Sequence, residues 1–465
     1  MRQEDTVVIG AGPGGYPCAI RLAQLGRRVT IIERDKAGGE CLNFGCIPSK
    51  TIIQAADLFD RYNAFIDRGI FVSAKGSIDL GRLQQFKDEV VLRLTRGVES
   101  LLRSYGATLI KGEARFESQR EIAIVGGETI RFDNAVIATG SVFSSLPAFP
   151  FDHTTIIDAR DFLSLSKLPS SLLVVGGGYI GLELGIAAAK MGSRVTVVEI
   201  LEQIMAGTDR EVLRLVEKRL EKLGVTVYTK STVTDIAAGS EGPVIRVKTG
   251  EGKEAKIEAE KVLVSVGKSS SAKRLGIENA GIQTDSRGFI KVNSECRTNV
   301  PFIYAVGDVT GPPFLAHRAT AMGRVAAEVI AGEASAMEQK VMPAALFTDP
   351  EIATTGMSLA EAEKAGISAR VVKFPYAASG RALTLGESEG FVRLVVSADG
   401  TVIGGQIAGR DASELISEVS LAIEMGATAE DIALTVHPHP TLPEMIMEAS
   451  ELAEGKPTNI FQKGK

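Results

Sequence analysis

The stretch Thr6-Val7-Val8-Ile9-Gly10-Ala11-Gly12-Pro13-Gly14-Gly15 decides how this chain folds. Its apolar run leads into spaced glycines, a helical pattern continues to Gly26, and a second apolar run, 29–32, ends in Glu33. This order is the signature of a βαβ unit that binds a dinucleotide: a strand, Gly-x-Gly-x-x-Gly, a helix, a second strand and an acid. The sequence therefore predicts a dinucleotide site at the start of the chain.

The same pattern recurs farther along the chain at a constant offset of 166. The matching positions are Gly10 and Gly176, Gly12 and Gly178, Gly15 and Gly181, Gly26 and Gly192, and Glu33 and Glu199. In such a unit the first glycine makes the tight turn, the second admits the pyrophosphate, the third lets helix and strand pack closely, and the acid accepts hydrogen bonds from a ribose. Because chance would rarely reproduce five positions in register, we predict two nucleotide sites on two separate units.

The second acid, Glu199, also indicates which nucleotide binds there. An acid at this position accepts a hydrogen bond from a free 2′-hydroxyl and repels a 2′-phosphate. The residues that follow, 200–202, include no basic side chain that could hold such a phosphate. The sequence therefore favours NAD over NADP at the second site.

A cysteine pair, Cys41 and Cys46, is separated by four residues. Gly45 lets the backbone turn, and Pro48 suits the first turn of a helix, so a helix is predicted to begin near Cys46. That sulfur would then lie at the positive end of the helix dipole, with Lys50 one turn further on, and both charges favour a thiolate. We interpret the pair as a redox centre. A structural disulfide or two unrelated buried thiols are the alternatives, and no cluster of zinc ligands is found in the sequence.

The composition limits the class of protein. A chain of 465 residues, 45% apolar and 23% charged, is typical of a globular protein with about three or four domains. The net charge of −5 argues against a nucleic-acid or anionic membrane surface. The chain starts without the long apolar region of a signal peptide, and its most apolar stretch, 172–189, is interrupted by Glu183 and by glycines. We therefore expect a cytoplasmic protein with no membrane insertion and no nucleic-acid partner.

The rest of the chain predicts further helices and strands. Apolar positions three or four apart predict a helix over 83–103. From about 340 the pattern changes to mixed strands and helices. The strands predicted in this last part are 369–374, 391–396 and 402–407.

These residues resemble the flavoprotein disulfide reductases and, within that family, the dihydrolipoamide dehydrogenase branch. The resemblance covers essentially the whole chain. The motifs that carry it, in family order, are Gly10-x-Gly12-x-x-Gly15, Gly39-x-Cys41-x4-Cys46-x3-Lys50, Ala138-Thr139-Gly140, Gly176-x-Gly178-x-x-Gly181-x-Glu183, Val306-Gly307-Asp308 and His437-Pro-His439-Pro-Thr-Leu-Pro-Glu444.

The resemblance implies an α/β fold with two Rossmann-like dinucleotide-binding domains, for FAD and NAD, a central domain and a C-terminal α+β dimerisation domain. The implied boundaries are 1–147 for the FAD-binding domain with the redox disulfide, 148–275 for the NAD-binding domain, 276–340 for the central domain that completes the FAD site, and 341–465 for the dimerisation domain.

The resemblance also implies which residues hold the cofactors, and it implies no metal. The implied residues are Gly10, Gly12, Gly15, Glu33, Lys50, Ala114, Thr139, Gly140, Ser141, Asp308, Ala316, Gly176, Gly178, Gly181, Glu199, Val233 and Gly267. Among them, Glu33 would bind the adenosine ribose of FAD and Asp308 its ribitol side.

The implied reaction oxidises dihydrolipoamide on a lipoyl carrier protein and reduces NAD+ to NADH. The implied catalytic residues are Cys41, Cys46, Lys50, Glu183, His439 and Glu444. His439, oriented by Glu444, would take the substrate proton, and the substrate thiolate would attack Cys41, which is expected to be the more exposed sulfur. Lys50 would pair with Glu183 close to the flavin, and His437 is interpreted as structural.

In this family His439 of one subunit completes the active site of the other, so the resemblance implies a homodimer. Further implied partners are lipoyl-bearing proteins and the E2 component of a 2-oxoacid dehydrogenase complex, or the glycine cleavage system. Glu40 and Phe44 depart from the commonest lipoamide-type segment, which leaves another NAD(P)H-dependent disulfide or mercuric-type reductase as an alternative. A non-catalytic FAD-binding redox sensor is the alternative from a different class.

Overall fold

The computed structural model describes residues 2–72, 74–237 and 243–462. The chain forms two compact units: Met1–Ile200 with Ser231–Glu338, and Leu201–Lys230 with Gln339–Lys465. The finer division into four domains stays a prediction. Within the described ranges, no helix is both long enough and apolar enough to cross a lipid bilayer.

The first part of the first unit is built on a mainly parallel sheet. Its elements are β1 (Arg2–Ile9), α1 (Gly15–Gln24), β2 (Val29–Glu33), α2 (Gly39–Asn43), α3 (Cys46–Asp67), α4 (Leu80–Ser104), β3 (Thr108–Lys111), β4 (Ala114–Ser118), β5 (Glu121–Ile124), β6 (Thr129–Ile137) and β7 (Ser141–Phe143). The strand order is β3-β2-β1-β6-β5-β4, with β3, β2, β1 and β6 parallel. The apolar run at 6–9 is buried, as expected for a parallel strand that is covered on both faces.

The chain from 156 to 338 forms a second βαβ unit and returns to the first sheet. Its elements are β8 (Ile156–Ile157), α5 (Ala159–Phe162), β9 (Ser171–Val175), α6 (Tyr179–Met191), β10 (Arg194–Val198), then α7 (Arg210–Lys222) and β11 (Thr226–Tyr228) of the second compact unit, then β12 (Thr232–Ala237), β13 (Val244–Lys248), β14 (Glu254–Glu258), β15 (Lys261–Val264), β16 (Lys268–Ser270), β17 (Ile303–Ala305) and α8 (Ala316–Ala331). Strands β10, β9, β15 and β8 pair in parallel in that order, and β12-β13-β14 form a small antiparallel sheet. Strand β17 pairs with β6, which ties the segment after 300 to the first sheet.

The predicted internal repeat extends to the register of the strands. Thr6 pairs with Val29 on the neighbouring strand, and Leu172 pairs with Val195. Both members of the second pair lie 166 positions after those of the first. The two glycine turns are therefore placed by the same strand pairing, as the sequence pattern predicted.

The second unit is an antiparallel sheet covered by helices. Besides α7 and β11, its elements are β18 (Ala344–Leu346), β19 (Ile352–Gly356), α9 (Leu359–Lys364), β20 (Ala369–Pro375), α10 (Gly380–Thr384), β21 (Phe391–Ser397), β22 (Val402–Ala408), α11 (Ala412–Met425), α12 (Ala429–Leu434) and α13 (Glu444–Ala453). The strand order is β18-β19-β22-β21-β20. The three strands predicted in this region are confirmed as β20, β21 and β22.

Candidate active site

A cavity of about 560 Å³ opens in the first unit beside the first glycine turn and the cysteine pair. Most residues predicted to hold FAD, together with the predicted redox residues of this unit, line it. They are Gly10, Gly12, Glu33, Cys41, Cys46, Lys50, Ala114, Thr139, Gly140, Ser141, Glu183, Asp308 and Ala316. Residues from distant parts of the sequence thus meet at one place.

The first glycine turn has room for a ligand where a dinucleotide needs it. A Cβ on Gly10 would lie 2.5 Å from the carbonyl oxygen of Ala138, and one on Gly15 would lie 1.8 Å from the carbonyl oxygen of Gly10. Among the described residues, the nearest neighbour of a Cβ on Gly12 would be Gly39 Cα, at 3.7 Å. The protein's own packing therefore requires glycine at the first and third positions, whereas at Gly12 only a closely approaching ligand does. The turn fits the pyrophosphate of FAD.

Glu33 is held at the cavity by the backbone. Its carboxylate oxygens accept hydrogen bonds from the amides of Ala11, at 2.7 Å, and Asp35, at 2.8 Å. Each carboxylate oxygen can accept a further hydrogen bond, so the side chain can still bind a ribose hydroxyl. The backbone bonds fix where that acceptor lies.

The second glycine turn repeats this construction away from the cavity. A Cβ on Gly176 would lie 2.3 Å from the carbonyl oxygen of Ser265, and one on Gly181 would lie 2.6 Å from that of Gly176. A Cβ on Gly178 would have no neighbour within 4 Å among the described residues, so this position is open to a ligand. Glu199 accepts a hydrogen bond from the amide of Gly177.

Two residues predicted to bind cofactor lie elsewhere in the first unit. Val233 is on β12 with its side chain buried, opposite Val247 of β13. Gly267 follows β15 with a φ of +108°, and its carbonyl accepts a hydrogen bond from the amide of Ser144. Their contacts with a cofactor stay a prediction.

The cysteine pair lies where the chain turns into α3. Cys41 is on the short helix α2, and Cys46 is the first residue of α3, as predicted from Gly45 and Pro48. Both are free thiols, and the Cys41 thiol donates a hydrogen bond to the sulfur of Cys46. The prediction that Cys41 is the more exposed of the two is wrong, because Cys46 is exposed and Cys41 is half-buried, although both line the cavity. Spacing along the chain does not reveal which of the two cysteines is more exposed.

The surroundings of Cys46 favour its thiolate. The hydrogen bond from Cys41 lowers the pKa of Cys46 most, and the positive charges of Lys50 and Lys268 lower it further. Burial and the carboxylate of Glu40 act in the opposite direction but do not cancel this effect. The same hydrogen bond, reinforced by burial, raises the pKa of Cys41. A reduced pair would therefore carry its negative charge on Cys46.

The predicted pairing of Lys50 with Glu183 is present. Lys50 Nζ lies 2.7 Å from Glu183 Oε2, and the Glu183 side chain is only 4% exposed. The interpretation of Glu183 as a buried residue on an apolar helix is therefore confirmed. The ion pair lies at the wall of the cavity, on α3 and α6.

Sequence reasoning missed Lys268, which follows Gly267. Its ammonium pairs with the carboxylate of Glu40 and lies 3.8 Å from Asp308 Oδ2. Asp308 in turn accepts a 2.7 Å hydrogen bond from the hydroxyl of Ser141. The unusual acid at Glu40 was a signal for a nearby cation, but the partner, 228 residues away in sequence, could not be identified from it.

In the second unit, His439 and Glu444 lie in contact. His439 Nδ1 is 2.8 Å from Glu444 Oε1, and the ring is 81% exposed. Burial by itself raises the pKa of Glu444, but the hydrogen bonds of the Thr441 amide and the His439 ring outweigh it and hold the pKa below its usual range. The carboxylate can thus orient the imidazole and stabilise an imidazolium.

His437 is built into the same unit differently. Its Nδ1 is 2.8 Å from the carbonyl oxygen of Thr435, and its Nε2 is 2.9 Å from Glu418 Oε1. Its side chain is only 6% exposed. Both ring nitrogens are engaged, which supports the structural interpretation of this histidine.

Among the described residues, one group of side chains could hold a metal ion, with its potential ligand atoms within 4.8 Å of one another. The group consists of His153, Asp158 and Asp161. Asp158 and Asp161 form the capping box at the start of α5, and the Asp161 carboxylate also accepts a hydrogen bond from the ring of His153. These contacts account for the grouping without a metal.

The chain matches known proteins over nearly its whole length. Residues 4–323 match the pyridine nucleotide-disulphide oxidoreductase family, and 342–450 match the dimerisation domain of the same family. The dihydrolipoyl dehydrogenase of Geobacillus stearothermophilus is 45% identical over 99% of this chain and 98% of its own, and that of Haloferax volcanii is 46% identical over the same shares.

Solved structures agree with these matches. LpdA of Mycobacterium tuberculosis superposes with a TM-score of 0.89 at 27% identity, covering 97% of this chain and 99% of its own. The HOCl-induced flavoprotein disulfide reductase RclA of Escherichia coli gives a TM-score of 0.86 at 27% identity, covering 96% and 99%. The predicted α/β fold of this type and the presence of a dimerisation domain are confirmed.

Proposed function

Because this chain belongs to the pyridine nucleotide-disulphide oxidoreductase family, we propose that it acts as a dihydrolipoyl dehydrogenase. It is an oxidoreductase with FAD and NAD as cofactors. In the proposed reaction, dihydrolipoamide on a lipoyl carrier protein is oxidised and NAD+ is reduced to NADH. The observation that carries the proposal is the meeting of the cysteine pair, the Lys50–Glu183 ion pair and the first glycine turn at one cavity. The activity named for the relatives at 45–46% identity supports the choice of substrate.

The thiol chemistry is assigned to the cysteines by the acidity of their sulfurs. In the oxidised enzyme Cys41 and Cys46 are joined as a disulfide. A substrate thiolate attacks Cys41, because the thiol with the lower pKa is the better leaving group and Cys46 leaves as the stabilised thiolate. The second substrate thiolate then attacks the substrate sulfur of the mixed disulfide and releases Cys41. The substrate leaves as a disulfide, and both cysteines are left reduced.

The remaining chemistry requires the charged residues around Cys46. Lys50 and Lys268 hold the Cys46 thiolate at the cavity wall, where FAD fits against the glycine turn. The chemistry that bound FAD supplies is transfer of the electron pair from the cysteine dithiol to NAD+. Glu199 favours NAD+ over NADP+ at the second turn.

The base is assigned to the C-terminal pair. His439 takes the proton of the substrate thiol, and Glu444 stabilises the imidazolium that forms. We propose that His439 acts on the cysteine pair of the other subunit in a homodimer, as the family resemblance implies. The matched dimerisation domain supports this arrangement.

The partners belong to the same proposal. Lipoyl-bearing carrier proteins and the E2 component of a 2-oxoacid dehydrogenase complex, or the glycine cleavage system, would deliver the dithiol. A cytoplasmic location is part of the same proposal.

The test is to compare two reactions of the purified holoenzyme. Dihydrolipoamide with NAD+ should give rapid formation of NADH, whereas glutathione disulfide with NADPH should give at most a small fraction of that rate. Cys46→Ser should abolish the first reaction. If wild type reduced glutathione disulfide but not NAD+, or if Cys46→Ser kept full turnover, the proposed function would be wrong.

A further inference from the structure

The Lys50–Glu183 ion pair has a counterpart deeper along the same two helices. Lys190 Nζ of α6 lies 2.5 Å from Asp57 Oδ1 of α3. Asp57 is seven residues after Lys50, and Lys190 is seven residues after Glu183. Seven residues are about two helical turns, so each helix presents both of its charges on one face, about 10 Å apart.

The second pair is largely buried, although Lys190 lies in the last turn of α6. The side chain of Lys190 is 3% exposed and that of Asp57 is 27% exposed. Helix α6 is otherwise apolar, and Glu183 and Lys190 are its only charged residues. Taking two charges out of water is costly, and an apolar pair of similar size is often no less stabilising. Stability alone therefore does not explain why α6 carries a lysine here.

The order of the charges specifies how the helices lie against each other. Helix α3 carries a positive and then a negative residue, whereas α6 carries a negative and then a positive one. Parallel packing in the observed register pairs opposite charges at both levels. An antiparallel arrangement, or a slip by two turns, would instead place Lys50 against Lys190. The charge pattern thus excludes these alternative registers as well as stabilising the observed one.

We propose that Asp57 and Lys190 are positioning residues that fix the register of α3 against α6 and thereby hold Lys50 and Glu183 at the cavity wall beside Cys46. Cys46 and Lys50 both lie on α3, so a shift of this helix moves them together and away from Cys41 and Lys268, which lie on other elements. The role belongs to the proposed reaction, but its test does not need that reaction.

The test measures alkylation of Cys46 by iodoacetamide against pH in the reduced holoenzyme, with mass spectrometry separating Cys46 from Cys41. The variants are Asp57→Asn and Lys190→Met. If they acted only through their charge, removing the negative Asp57 would speed alkylation and removing the positive Lys190 would slow it. Positioning predicts instead that both variants slow alkylation at pH 7 by about threefold to tenfold, because a shifted α3 carries Cys46 away from Cys41 and Lys268 in both.

Two further variants keep the test decisive. Asp67→Asn removes an exposed ion pair with Lys75 from the same helix and should leave the alkylation profile unchanged. The swapped double variant Asp57→Lys with Lys190→Asp keeps two opposite-charge pairs in the native register, against one in a register slipped by two turns, and should restore the rate to within about threefold of wild type. If the single variants do not fold, the swapped variant alone decides. An alkylation rate that differs from that of wild type by more than about threefold would then contradict the proposal.

The positioning role would be overturned if the alkylation rate rose in one single variant and fell in the other. It would also be overturned if the single variants lost thermal stability while the pH dependence of alkylation stayed unchanged. If wild type failed to oxidise dihydrolipoamide, the proposed substrate would fall, while the alkylation result would still decide the positioning role.

Discussion

The amide of Gly177 donates a 2.6 Å hydrogen bond to the carboxylate of Glu199. It is the counterpart, 166 residues on, of the bond from Ala11 to Glu33. In both units the acid that faces a ribose is thus oriented by the glycine turn that faces the phosphates. Cofactor choice at the second site therefore depends on a carboxylate whose position is set by the backbone.

Replacing Glu199 by serine should weaken this choice. We expect kcat/KM for NAD+ to fall about tenfold and that for NADP+ to rise about tenfold, because a ribose acceptor is lost and so is the repulsion of a 2′-phosphate. Steady-state kinetics with both nucleotides measure this. Glu202→Gln, at an exposed acid three residues on, is the control and should change neither value by more than about twofold. An unchanged preference in Glu199→Ser would show that the carboxylate does not select the nucleotide.

Replacing Lys50 by methionine should make Cys46 less reactive. The positive charge of Lys50 lowers the pKa of Cys46, so its loss raises that pKa and leaves less thiolate at neutral pH. We expect alkylation of Cys46 at pH 7 to slow about tenfold, which corresponds to about one pKa unit. Lys75→Met, at an exposed lysine, should leave the rate unchanged. A wild-type rate in Lys50→Met would contradict the electrostatic account of the thiolate.

Replacing Gly15 by alanine should disrupt the first glycine turn. The new Cβ would lie 1.8 Å from the carbonyl oxygen of Gly10, so the backbone must move. We expect a loss of about 1–3 kcal/mol in unfolding free energy and less bound flavin per chain, measured by denaturation and absorbance. Gly97→Ala, in the interior of α4, is the matched control, because the new Cβ would meet no atom of the described residues within 4 Å, and it should raise the unfolding free energy by about 0.5–1 kcal/mol. Full flavin content in Gly15→Ala would refute the packing argument.

Replacing each histidine of the C-terminal motif should have a different effect: one on catalysis and the other on stability. His439→Gln should lower kcat by about 10²–10⁴-fold, because the base that takes the substrate proton is lost. His437→Gln should keep kcat within about threefold but lower the unfolding free energy by about 1–3 kcal/mol, because the hydrogen bonds of both nitrogens of its largely buried ring are lost. Turnover assays with thermal unfolding distinguish the two roles. A large loss of kcat in His437→Gln with a wild-type kcat in His439→Gln would contradict the assignment of His439 as the base and His437 as structural.

Much of this site follows from local patterns in the sequence. The repeat predicted both glycine turns, and Gly45 and Pro48 predicted that α3 begins at Cys46. Local spacing could not predict that Cys46 is more exposed than Cys41. Nor could it predict the pairs Lys268–Glu40 and Lys190–Asp57, because their partners are 228 and 133 positions apart and meet only through packing.

The measurement that tests the central claim most directly is a count of free thiols after denaturation. The chain has four cysteines, and Cys18 and Cys296 are buried in the core. If Cys41 and Cys46 cycle as a disulfide, the oxidised holoenzyme should titrate two thiols, and the enzyme treated with dihydrolipoamide should titrate four, with the new thiols mapped to Cys41 and Cys46. Four thiols in both states, or a disulfide that involves Cys18 or Cys296, would contradict the account.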